Sequence, residues 1–157
     1  MNRKPIVFIL GAGFSKMFGL AGLRLGYGVM HKKLAEKINL IRAPYNINVA
    51  VEEALAVCLS ELDELNKRLG MILRTREFLF KQLLANKNIQ VFESAANFVL
   101  FKPLNYDFKK LHQKLEKSGI LTRIYDNQIL KGYIRVSVGT DSQIKIFLQR
   151  MFDIIKN

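Results

Sequence analysis

A lysine preceded by a hydroxyl, set among glycines and followed by an arginine, is the strongest chemical signal in this chain. It lies in Gly11-Ala-Gly-Phe-Ser-Lys-Met-Phe-Gly-Leu-Ala-Gly-Leu-Arg-Leu-Gly-Tyr27. The amine of Lys16 can form a Schiff base with an aldehyde. Ser15 and Arg24 can hold a phosphate, the arginine through two parallel N–H bonds. Gly19, Gly22 and Gly26 let the backbone turn tightly and approach a ligand without a Cβ in the way. Together these residue types suit pyridoxal phosphate (PLP), an aldehyde that carries a phosphate.

Three further segments follow in order: RAPYNIN at residues 42–48, SAANFVLF at 94–101 and GILTRIYDNQILKGYIRVSVGT at 119–140. With SKMFGLAGLRLGY at residues 15–27, they resemble the fold-type I PLP-dependent aminotransferases of class I/II, and within them the histidinol-phosphate aminotransferases. The resemblance runs from about Ser15 onward. It implies an α/β fold: the end of the large cofactor domain at residues 1–60 and the whole small C-terminal α/β domain at 61–157. It implies that Lys16 is the catalytic, cofactor-bearing lysine, and that Ser15 and Arg24 hold the cofactor phosphate. Arg135 would clamp the substrate α-carboxylate, Arg123 would lie near the substrate's phosphate end, and Asn97 near the site entrance. The implied reaction is amino transfer between glutamate/2-oxoglutarate and histidinol phosphate, in a cytoplasmic homodimer. Relatives with similar lysine segments use aromatic amino acids or cobalamin-pathway phosphates instead.

Two departures qualify that expectation. Family members have threonine three residues before the lysine, preceded by arginine; here Gly13 and Ala12 stand there, so one phosphate-binding hydroxyl is missing. Family members also carry a long stretch upstream of the lysine, with the aspartate for the pyridine nitrogen and the aromatic that stacks on the ring. The expectation is therefore a C-terminal portion of such an enzyme, inactive alone. A non-catalytic fragment or half of a split enzyme is the alternative.

Other ligands fit less well. A Walker A loop needs a second glycine followed by Lys and Ser/Thr, whereas Lys16 follows Ser15. The dinucleotide fingerprint needs glycine or alanine three residues after Gly13, where Lys16 stands. The run GAGFSK also looks like the opening of sirtuin-like NAD-binding domains, with nothing downstream to support it. His31 and His112 are isolated, with no metal-ligand spacing around them, and read as surface histidines; no metal is expected.

The chain has 157 residues, half of them hydrophobic, which suits a globular protein rather than a disordered one. Lys+Arg 25 against Asp+Glu 13 gives a net charge of +12. The lysines are scattered and no basic run is interleaved with aromatics, so a solvated surface is expected rather than a nucleic-acid partner. No apolar run near the start is long enough for a membrane span or a signal peptide. The single cysteine, Cys58, excludes an internal disulfide framework, fits a cytosolic setting and reads as a buried small hydrophobe.

Apolar spacing predicts strands at 5–10, 25–30, 90–102, 120–125 and 133–138. It predicts helices at 31–39, 49–60, 61–86, 106–118 and 141–155. Asp141 reads as the N-cap of the last helix. In the long helix, Leu62, Leu65, Leu69, Ile72 and Leu73 fall at helical spacing as its buried stripe.

Overall fold

Turn and cap chemistry sets where the elements of this chain begin and end. The computed structural model describes residues 10–14, 18–125 and 127–156. Two compact units divide the chain, Met1–Asn66 and Lys67–Asn157. The division falls after Asn66, inside the long helix.

In the first unit, strands β1 (Leu10–Gly13) and β2 (Gly26–Val29) pair antiparallel, with Leu10 opposite Val29 and Gly13 opposite Gly26. The expected strand at 5–10 lies outside the described residues except for Leu10. Helix α1 spans Lys32–Ile41, and His31 is its N-cap rather than its first residue. The Lys33 N–H donates to His31 Nδ1 at 3.2 Å, which satisfies one of the free amides of the first turn. Asn48 caps helix α2 (Val49–Ser60) in the same way, its Oδ1 accepting from the Ala50 N–H at 2.8 Å. Cys58 on α2 is a half-buried free thiol, not a fully buried one.

Helix α3 (Leu62–Leu84) runs across the division. Its expected apolar stripe is only partly used. Leu65 is buried, but Leu62, Leu69 and Leu73 are exposed. The packed residues of its second half are Thr75, Leu79 and Leu83, so the core begins one to two turns later than the leucine spacing suggests.

The second unit has a four-stranded sheet in the order β3-β4-β6-β5, with every neighbouring pair antiparallel. Its strands are β3 (Ile89–Phe92), β4 (Phe98–Pro103), β5 (Arg123–Ile124) and β6 (Ile134–Ser137). Residues 90–102 are therefore a hairpin rather than one strand. The polar turn between its strands is closed locally, with Ser94 Oγ accepting from the Ala96 N–H at 3.1 Å. Burial alternates along β4, with Val99 and Phe101 fully buried and Phe98 and Leu100 half-buried on the other face. The buried face packs against Leu79 and Leu83 of α3, Leu111 and Leu115 of helix α4 (Phe108–Lys117), and helix α5 (Asp141–Lys156). The rings of Phe101 and Phe147 meet edge to face, 6.1 Å apart.

Helix α4 starts at the N-cap Asp107, whose Oδ1 accepts from the Lys110 N–H at 2.7 Å. It ends at Gly119, which holds φ +77°. There the Ile120 N–H donates to the Leu115 carbonyl and the Gly119 N–H to the Glu116 carbonyl, both at 2.9 Å. This paired terminator favours glycine at its left-handed position. At α5 the cap is Thr140, not the expected Asp141. Thr140 Oγ1 faces the Gln143 N–H at 3.4 Å, and Gln143 Oε1 accepts from the Thr140 N–H at 2.9 Å, a reciprocal capping box. That leaves the Asp141 carboxylate free to accept from the hydroxyl of Thr75, a buried polar side chain on α3.

Candidate cofactor and substrate site

In the sequence, the lysine segment lies between β1 and β2. Lys16 and Ser15 themselves lie outside the described residues. The loop around them is closed at its base by backbone bonds from the Phe14 N–H to the Leu25 carbonyl, 3.2 Å, and from the Leu20 N–H to the Phe14 carbonyl, 3.3 Å. Phe14 packs on Phe18 with ring centroids 5.0 Å apart and on Tyr27 at 5.6 Å. Gly19 turns at φ +69°, where a side chain would be strained.

Arg24 follows a single 3-10 turn, Ala21–Leu23, and itself holds φ +53°. A left-handed arginine is uncommon and carries a conformational cost. Its guanidinium is exposed and makes no ion pair among the described residues. This donor set suits the phosphate of a PLP-type cofactor: a free planar cation at a glycine-rich turn. Gly13 lies in the ladder opposite Gly26 and adds no hydroxyl.

In the second unit the two candidate substrate arginines prove to be direct partners. Arg123 of β5 stands opposite Arg135 of β6 in the antiparallel register, so both side chains leave the same face of the sheet. On β6, Ile134 and Val136 are buried while Arg135 is half-buried and Ser137 exposed, which puts Arg135 on the face away from the core. Neither arginine has a carboxylate partner among the described residues. Each lies over an aromatic ring instead: Arg135 over Phe98 at 5.0 Å, Arg123 over Tyr125 at 5.6 Å. Like charges directly opposite on a ladder oppose folding. An anion between them would remove that cost.

Asn97 precedes β4, and its carbonyl accepts from the Val138 N–H at 2.9 Å. This bond extends the β4–β6 pairing by one step. Its side-chain amide is half-buried and makes no hydrogen bond among the described residues. Asn97 therefore offers a free amide at the start of the strand whose Leu100 sits opposite Arg135.

His112 is not the isolated surface residue that its surroundings in the sequence suggest. Its Nδ1 lies 2.8 Å from Thr122 Oγ1 in a half-buried contact, one residue before Arg123. Nothing local in the sequence signals this bond, because it joins a helix to the link that leads into the next strand. Among the described residues no group of three or more His, Cys, Asp or Glu side chains is placed to hold a metal ion. No described helix is long and apolar enough to cross a membrane.

A model of the family "Aminotransferase class I and II" matches residues 1–151. The chain belongs to the class I and II aminotransferase family. That family is PLP-dependent and works on amino-acid and keto-acid substrates. The chain is 35% identical over 145 residues to a histidinol-phosphate aminotransferase of Ruminiclostridium cellulolyticum, covering 92% of this chain and 40% of that enzyme. It is 37% identical over 137 residues to the chloroplastic histidinol-phosphate aminotransferase 1 of Arabidopsis thaliana, covering 87% and 33%. Among solved structures, the histidinol-phosphate aminotransferase of Clostridium acetobutylicum superposes with a TM-score of 0.84 at 28% identity, over 95% of this chain and 46% of that one. The Sinorhizobium meliloti histidinol-phosphate aminotransferase, solved in complex with pyridoxal-5'-phosphate, shares the fold with a TM-score of 0.79 at 24% identity, over 94% and 41%. The chain thus has the mixed α/β fold of the PLP-dependent aminotransferases and spans about 40% of the length of the curated relatives it matches.

Proposed function

We propose that this chain carries the cofactor lysine and the substrate arginines of a PLP-dependent aminotransferase acting on histidinol phosphate and 2-oxoglutarate, in histidine biosynthesis. In one direction, the amino group of glutamate passes to the oxo carbon of imidazole-acetol phosphate, leaving 2-oxoglutarate and L-histidinol phosphate. The observation that supports this reading is the register pair Arg123–Arg135, two guanidiniums on one face with no carboxylate partner among the described residues. Both substrates are anions, and a bidentate guanidinium recognises carboxylate and phosphate alike.

Bound PLP would supply an electron sink for the charge that develops at the substrate Cα. Lys16 Nζ would hold the cofactor through its aldehyde carbon, then take up and return the Cα proton. Ser15 Oγ and the Arg24 guanidinium would hold the cofactor phosphate. Arg135 would hold the α-carboxylate, Arg123 the substrate phosphate, and the Asn97 amide would face the entrance. A cytoplasmic homodimer belongs to the same proposal.

The test has two parts. Incubation with PLP and reduction by borohydride should place the label on the Lys16 peptide; label spread over many lysines would sink the cofactor assignment. Histidinol phosphate, 2-oxoglutarate and PLP should then give little or no turnover with this chain alone. Turnover should appear when a chain supplying the rest of the family's length is added, and Arg135→Ala should abolish it. The second reading, a non-catalytic portion, is favoured by Gly13 in place of a phosphate-binding hydroxyl, and no turnover under any pairing would support it.

A further inference from the structure

β5 is a two-residue strand at the edge of the sheet, with two register pairs to β6, Arg123–Arg135 and Ile124–Ile134. So short a ladder holds a strand weakly, and here it must also oppose the repulsion of two guanidiniums. On its other side β5 is reached from α4 through a short link. The helix terminator fixes that link as far as Ile120. Only Leu121, 78% exposed, and Thr122 separate the terminator from Arg123. Thr122 is tied back to α4 by the 2.8 Å contact with His112 Nδ1. Either imidazole tautomer can make this bond, because a hydroxyl both donates and accepts.

Helix α4 does not need the bond to stay in place, since Leu111 and Leu115 are fully buried in the core. The edge strand has fewer holds: two register pairs, the half-buried Ile124 packed against the core, and this bond one residue before Arg123. We propose that His112 and Thr122 are positioning residues: they hold Arg123 opposite Arg135 and so set the affinity of the arginine pair for a phosphate- or carboxylate-class anion. Neither touches the anion. This rests on the anion-binding role of the pair proposed above.

The test is a titration of the full chain with inorganic phosphate, read on the arginine side-chain Nε–H resonances by NMR. The wild-type chain should show coupled shifts at Arg123 and Arg135. Thr122→Val, which keeps shape and strand preference but loses the hydroxyl, should weaken phosphate binding about two- to fivefold, the range expected for one lost hydrogen bond acting indirectly. Thr122→Ser should restore it. His112→Ala should match Thr122→Val. His112→Asn, which puts an amide group where Nδ1 stood, should recover most of the affinity and covers the case in which Thr122→Val fails to fold. Variants that melt earlier yet bind phosphate as tightly as the wild type would give the bond a purely structural role and overturn the proposal. No phosphate response at Arg123 and Arg135 in the wild type would overturn the anion-site reading itself, and this inference with it.

Discussion

The two units of this chain spend their apolar residues in opposite ways. The second unit, Lys67–Asn157, closes a core in which Leu79, Val99, Phe101, Leu111, Ile134 and Met151 are fully buried. The first, Met1–Asn66, buries only Val51 and Leu65 among its described hydrophobic residues, each to 9% exposure. It leaves Leu40, Ile41, Tyr45, Val49 and Val57 in the open. Helix α2 makes the contrast plain. Its sequence, VAVEEALAVCLS, is apolar nearly all round, the composition of a helix packed on several sides, yet one residue of it is buried. Helix α4 has a divided composition, lysines on one side and Leu111 and Leu115 on the other, and both leucines are buried. Among the described residues, apolar composition alone therefore does not bury a helix; its side chains must also find partners.

The largest expected effect tests that contrast directly. Phe101→Ala should cost about 3–5 kcal/mol, because it empties a site where the ring meets Phe147 and other buried side chains. Ile41→Ala removes a side chain that is 84% exposed and should change stability by less than about 0.5 kcal/mol. Urea unfolding followed by far-UV circular dichroism measures both. Similar losses at the two positions would mean that the first unit has a core of its own after all.

A smaller effect separates core packing from local backbone geometry. Gly119→Ala places a side chain at φ +77°, in space where no atom lies within 4 Å of the new Cβ. Its cost should be conformational alone, about 1–2 kcal/mol. Gly22→Ala in the first unit also meets open space and has no left-handed φ to strain. It should be neutral within about 0.5 kcal/mol. Thermal melts of the two variants decide the point. Equal melting temperatures would show that the α4 terminator has no special hold on the second unit.

The same contrast marks what could be read from residues in order. Helix α2 has the bounds its composition predicts, because Asn48 supplies a local cap. The α4 stop at Gly119 is equally local, and so is the alternation that turns Arg135 away from the core. What is not legible lies in the exact placing of short turns and caps, and in contacts between distant segments. The hairpin at 89–103 looked like one strand because its turn is short and flanked by apolar residues on both sides. The cap of α5 is Thr140 rather than Asp141 because Gln143 reaches back to it, which leaves Asp141 for Thr75, sixty-six positions away in the chain. The candidate site divides along the same line. Arg123 and Arg135 were each nameable from their own segments, but their opposition on the ladder and the His112–Thr122 tie depend on how strands meet.

The smallest expected effect lies at Arg24, where stability and binding should part. Its φ of +53° costs the folded chain conformational energy that a glycine would not incur. Arg24→Gly relieves that cost, worth about 1 kcal/mol. It also gives the unfolded chain more freedom, which takes back about 0.5–1 kcal/mol. The two nearly cancel, so the melting temperature should move little in either direction. Binding should not be spared. If Arg24 holds a cofactor phosphate, the variant loses a charge-assisted contact worth about 1.5–3 kcal/mol. The PLP concentration needed to label Lys16 under borohydride should then rise by about tenfold or more. Pyridoxal, which lacks the phosphate, should label variant and wild type alike. An equal rise for both aldehydes would assign Arg24 to the shape of the loop rather than to the phosphate. An unchanged PLP requirement would remove it from the site.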